Sequence, residues 1–257
     1  MLFAVTGLMG CPVDAEDGAV GSVKDFLFDD ETWTIRWMVV DTGVWLPGRK
    51  VLIHPSAIVP LDVAAPGGEK LPMMGGPEAP VVLVRLTKDK IEGGPTTREE
   101  DPVTRAMQVR LYEYYGWDPA WGKSYFRAGA LAGPAAAQPA PLESAGGDPH
   151  LFSAAAVKGY HVHATDGDLG HVENFLADDE NWDIRYLVVA TRNWLPGKHV
   201  QLAPFAVEAI DPAERRVDVD VTREAIRSSP EWDPLALANE AAQESYHRHF
   251  GWPGYGW

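Results

Sequence analysis

The chain has 257 residues, 46 % of them hydrophobic and ten of them Trp, which argues against disorder and suits one large or two ordinary folded domains. A formal net charge of −15, with no basic run denser than Arg49-Lys50 or Arg215-Arg216, argues against binding nucleic acid or an anionic lipid surface. The lone cysteine, Cys11, excludes an intrachain disulfide framework, and no apolar run reaches the ~18 residues of a membrane-spanning helix.

From the N-terminus, Met1 to Cys11 is mostly apolar, and Leu8-Met9-Gly10-Cys11 looks a little like a lipoprotein cleavage box. The stretch lacks a positive leading region. Its counterpart at 151–160 stands mid-chain, so the expectation is barrel, not signal, in a cytoplasmic protein with no membrane insertion. That counterpart belongs to a repeat: residues 2–62 recur without a gap at 151–211. Asp17-Gly18 answers Asp166-Gly167, Asp29-Asp30-Glu31-Thr32-Trp33 answers Asp178-Asp179-Glu180-Asn181-Trp182, and Trp45-Leu46-Pro47-Gly48 answers Trp194-Leu195-Pro196-Gly197.

Each copy reads as short strands between tight turns. Asp17-Gly18 predicts a hairpin turn, a strand follows to the acidic triplet, and Ile35 to Val40 is the next strand. Pro47-Gly48 has the type II turn arrangement, with strands at Lys50–His54, Ile58–Leu61 and Val81–Arg85 after it. Asp101-Pro102 predicts a helix start and Gly116-Trp117 its end. Residues 128–149, dominated by Ala, Pro and Gly, read as a linker. The second copy repeats the series: Ile184–Val189, Pro196-Gly197, His199–Ala203, Val207–Ile210, Arg216–Val221, and a helix from Asp233-Pro234 to Gly251-Trp252. The expected organisation is a first domain at 1–127, the linker, and a second domain at 150–257. The expected fold class is mainly β, two small closed barrels in tandem, each followed by a C-terminal helix and an aromatic Gly-Trp segment.

Comparing the copies sorts candidate chemistry. Cys11 is Tyr160 in the other copy, so it is no shared nucleophile. His161, His163 and His199 have no histidine counterparts, so a metal site built on them could not be common to both. The acidic triplets read as solvated turns whose Asp side chains bond backbone amides. Trp33 and Trp182 read as core, with Arg36 and Arg185 facing the acidic turn. No phosphate loop, nucleophile elbow or paired-cysteine motif occurs, so no catalytic residue, cofactor or metal is expected. What remains are Trp45-Leu46 and Trp194-Leu195, apolar residues beside a hairpin turn, as candidate interaction tips. The tails around Trp117, Trp252 and Trp257 are candidates for docking or self-association.

The string Asp17-Gly18-x-x-Gly21-x-Val23-x-Asp25-Phe26, then Asp29-Asp30-Glu31-x-Trp33-x-Ile35-Arg36, then Trp45-Leu46-Pro47-Gly48-Arg49-Lys50-Val51 resembles the PRC-barrel domain. The second copy carries it with Ala190 for Asp41 and Lys198-His199 for Arg49-Lys50. That family is named for the photosynthetic reaction centre H subunit and occurs also in the ribosome maturation factor. The resemblance implies a small barrel that docks on other proteins. It points to a non-enzymatic scaffold serving a photosynthetic or other membrane electron-transport complex from the cytoplasmic side, or to an assembly factor binding a ribosomal protein.

Overall fold

The computed structural model describes residues 2–61, 80–121, 147–191, 199–230 and 240–254. It is mainly β. In the first half lie β1 (Leu2–Ala4), β2 (Pro12–Ala15), β3 (Gly18–Asp29), β4 (Ile35–Asp41), β5 (Arg49–Ile53), β6 (Val82–Leu83) and β7 (Thr97–Arg98). The second holds β8 (Leu151–Ser153), β9 (His161–Ala164), β10 (Gly167–Asp178), β11 (Ile184–Ala190), β12 (His199–Leu202), β13 (Val207–Asp211) and β14 (Arg216–Val219).

The first strand of each half pairs with the long strand of the other. β1 runs antiparallel to β10 with Phe3 opposite Ala177, and β8 runs antiparallel to β3 with Phe152 opposite Phe28. The two resulting seven-stranded sheets follow the orders β6-β2-β3-β4-β5-β7 and β12-β11-β10-β9-β14-β13. Bulges fall at equivalent places, between Val23 and Asp25 and between Val172 and Asn174. Equivalent side chains also staple the crossings: Asn174 Oδ1 accepts from Thr6 N at 3.1 Å, and Asp25 Oδ1 accepts from Ala155 N at 2.9 Å.

Between the crossings the halves meet at Thr34 and Asp183, a bridge of one residue from each. Ile35 N donates to Trp182 O at 2.9 Å and Ile184 N to Trp33 O at 2.7 Å. The buried Thr34 hydroxyl donates to Asp183 Oδ1 at 2.7 Å. To reach this geometry Trp33 and Trp182 adopt φ of 53° and 58°, a left-handed conformation that costs a bulky residue about 1–3 kcal/mol. The interhalf hydrogen bonds and burial of both indoles offset it. One apolar core runs through both halves, with Phe28 and Phe175 in contact across the join at 5.5 Å between ring centroids.

Two expectations need correction. Closed barrels are not what the ladders form: among the described residues each hydrogen-bonded path stays open, from β6 to β7 and from β12 to β13. In the second half the open ends are joined by chain, through the 3-10 turn Pro204–Ala206 that leads from β12 into β13. The strand expected at Ile58–Leu61 shrinks to one bridge, Ile58 to Val84. Its equivalent β13 pairs with β14 across a short turn, whereas the first half has the Gly/Pro-rich stretch Pro60 to Pro80 between the partners. Closing a longer loop raises the entropic cost of pairing.

The helix Arg105–Tyr115 also starts later than Asp101-Pro102 suggests. Thr104 caps it, accepting from Met107 N at 3.2 Å, while Asp101 Oδ2 accepts from Thr97 Oγ1. Its second-half equivalent is Glu240–Phe250, and Asp233-Pro234 lies outside the described residues, as does most of 128–149.

Two glycines are required by close approach. A Cβ on Gly21 would stand 2.0 Å from Asp41 O, and one on Gly170 would stand 2.0 Å from Ala190 O. Gly10, also at positive φ, has nothing within 4 Å. Gly170→Ala is therefore expected to cost upwards of about 3 kcal/mol in urea unfolding, against about 1 kcal/mol for Gly10→Ala. Equal losses would contradict this packing.

Candidate functional site

The loop after β4 is the one fully described candidate tip. It is built from the chain's own polar groups: Asp41 Oδ1 accepts from Gly43 N at 2.9 Å, and buried Thr42 donates from Oγ1 to Leu46 O at 3.2 Å. Thr42 O in turn accepts from Trp45 N. These bonds aim the side chains differently from the sequence expectation. Leu46 turns inward and is buried, and Trp45 packs half-buried against the core with Lys88 Nζ 4.6 Å above its ring. The outermost apolar side chain is Val44, 97 % exposed. Trp194 and Leu195 lie outside the described residues.

Beside this loop is a cavity of about 330 Å³ whose walls include Lys24, Asp25, Asp41, Leu46, Lys50 and Glu99. The Lys24–Glu99 ion pair spans its rim. Lys50 donates to Asp101 O, and burial holds its ammonium pKa below the ordinary value. Burial pushes the Asp25 carboxyl up, although Ser153 Oγ, Ala155 N and Phe26 N all donate to it. A carboxyl and an amine perturbed in opposite senses inside one cleft are a common mark of a functional site. At the equivalent positions the second half has Glu173, Asn174, Ala190 and His199, and His199 Nε2 stands 2.6 Å from Glu173 Oε2. The two halves thus share a scaffold and differ in surface chemistry.

The aromatic tails fold back on their own halves. Gly116 and Gly251 end the helices at φ of 74° and 71°, and the next residues donate back, Trp117 N to Tyr112 O and Trp252 N to His247 O. Each Trp then stacks on the last helical aromatic, Trp117 on Tyr115 at 4.0 Å and Trp252 on Phe250 at 4.3 Å. Both are half-buried and pack on the sheet of their own half. Trp257 lies outside the described residues.

Beneath the first tail His54 is fully buried, ringed by Trp37, Tyr112, Trp117 and Trp121. Burial, with Arg36 nearby, holds its pKa down to about 3, so it is neutral at any ordinary pH. The second half fills the corresponding space with His247, whose Nε2 meets Tyr186 Oη at 2.9 Å. Neither histidine was legible as core from the sequence; only His247 lies in an aromatic-rich segment, while His54 ends an aliphatic strand.

His161 and His163 do share the exposed face of β9, and His163 Nδ1 lies 2.8 Å from Asp168. Among the described residues no group of three or more His, Cys, Asp or Glu side chains could hold a metal ion. Cys11 is buried, which pushes its thiol pKa up. Asp29 and Asp178 bond the amides of their own turns as expected, but Asp178 is buried rather than solvated. Arg185 goes further and forms a largely buried pair with Asp178 at 2.9 Å.

With strand order, exchanged first strand and capping helix in place, the second half can be compared with known folds. Residues 149–226 match the PRC-barrel domain. The PRC-barrel match begins just ahead of β8, the strand this half lends to the other, and ends within the helix Arg223–Arg227. No curated protein matches the chain. The matched residues include His161, His163, Trp194 and His199, and also Ser153 and Ala155, which complete the wall of the cavity, while Val44 and His54 belong to the other half.

The inward turn of Leu46 gives a direct test. Leu46→Ala should cost about 2–4 kcal/mol in urea unfolding, and Val44→Ser under about 0.5 kcal/mol. A neutral Leu46→Ala would return that residue to the surface.

Proposed function

We propose that the chain is a non-enzymatic protein-interaction scaffold made of two PRC-type units, the first half being a second unit of the kind matched at 149–226. Equivalent strand orders, bulges at equivalent residues and reciprocal first strands support the tandem reading. The observation that carries the interaction reading is the PRC-barrel match, since that domain type mediates protein contacts. The first half supplies the contact surface: Val44 stands out from a loop that its own hydrogen bonds hold rigid, beside a cleft with charges of both signs. A preorganised apolar tip loses little entropy on binding.

The finer reading places the protein in the cytoplasm, attached to a photosynthetic or other membrane electron-transport complex, in keeping with its likeness to the reaction-centre subunit's barrel. A second reading, an assembly factor for the ribosome, draws on the net charge of −15, which would complement a basic ribosomal protein. Gradient sedimentation of native extract separates them, the protein travelling with membrane complexes in one case and with ribosomal precursors in the other. In either case Val44→Asp should free the protein from its particle without lowering its melting temperature. Unchanged co-sedimentation of Val44→Asp would remove this loop from the interface.

A further inference from the structure

The acidic turn after the long strand is neutralised differently in the two halves. In the second, Arg185 binds Asp178, a cation that never titrates. In the first, the equivalent Arg36 donates instead to Pro119 O, and the turn meets a histidine from the other half. His150, directly before the exchanged strand β8, places Nδ1 3.0 Å from Asp30 Oδ1 and Nε2 3.7 Å from Glu31 Oε1. Its carbonyl accepts from Asp30 N at 3.1 Å, so side chain and backbone grip the same turn. At the position equivalent to His150 the first half has Met1, whose side chain carries no ionisable group.

We propose that His150 is a pH-sensitive latch that holds β8 in the first half's sheet. The groups facing it are Asp29, Asp30 and Glu31 from the turn, and Asp148, whose Oδ1 accepts from His150 N and whose Oδ2 pairs with Arg105. Burial works against the imidazolium. The hydrogen bond to Asp30 and the charges of Glu31, Asp30 and Asp29 outweigh that and hold its pKa above 6.5. A histidine whose pKa rises on folding contributes stability that is complete below 6.5 and is lost as pH climbs through the folded value. The latch is therefore closed at acid pH and released as pH rises through the folded value. The other titratable group at this crossing is Asp25, bonded to Ser153 and Ala155; the opposite crossing has the amide of Asn174 instead.

Hydrogen exchange on the full chain tests this, comparing amides of Leu151–Ser153 with those of Leu2–Ala4 at about pH 6 and about pH 8.5, after correction for intrinsic rates. Protection of Leu151–Ser153 should fall about two- to fivefold relative to Leu2–Ala4 on going to the higher pH, the range a partly exposed ion pair supports. His150→Gln should abolish the pH dependence, His150→Arg should keep the strand protected at both values, and Asp25→Asn should leave the dependence in place. A ratio that does not change with pH, or a change that persists in His150→Gln, would overturn the latch.

Discussion

The pairing of each half's first strand with the other half's long strand is the constraint on which the rest depends. β3 and β10 have twelve residues each, and the bonds at their far ends come from β8 and β1 of the opposite half. Removing either donor would leave a stretch of backbone donors and acceptors unpaired beside an apolar core, which is costly. Phe3, 1 % exposed, is buried in this way, a side chain whose burial contributes about 1.5–3 kcal/mol. The strained conformation of Trp33 and Trp182 follows from the same requirement, since only that turn brings Thr34 and Asp183 together.

Given this shared centre, the outer parts are free to diverge. Both halves use a helix and a stacked aromatic pair to cover the outer face of β4-β5 or β11-β12. Inside that cover one half buries a neutral histidine among indoles, and the other buries a histidine bonded to tyrosine. At the surface the divergence is larger. Lys24, Asp41 and Lys50 become Glu173, Ala190 and His199, and a permanent Arg–Asp pair at one acidic turn gives way to a histidine at the other.

Much of the fold was legible because repeats and turn residues are local signals. The mainly β class, the strands around Asp17-Gly18 and the Gly-Trp helix ends all follow from spacing. The exchange was not legible: Leu2–Ala4 and Leu151–Ser153 have the same apolar character whichever long strand they pair with, so strand partner is a tertiary choice. Trp45-Leu46 shows the same limit at the site. Composition marks the loop as apolar, but the Thr42 hydroxyl bonding Leu46 O decides which residue faces out, and that made Val44 the tip. The acidic turn's histidine partner was hidden for a similar reason, being 120 residues away along the chain.

The most direct test of this account is nuclear Overhauser contact across the exchanged strands, at a concentration where the protein is monomeric. The account predicts cross-strand contacts between the backbones of Phe3 and Ala177 and between those of Phe152 and Phe28. Contacts of Phe3 with Phe28, or of Phe152 with Ala177, would mean that each half keeps its own first strand, and would contradict it.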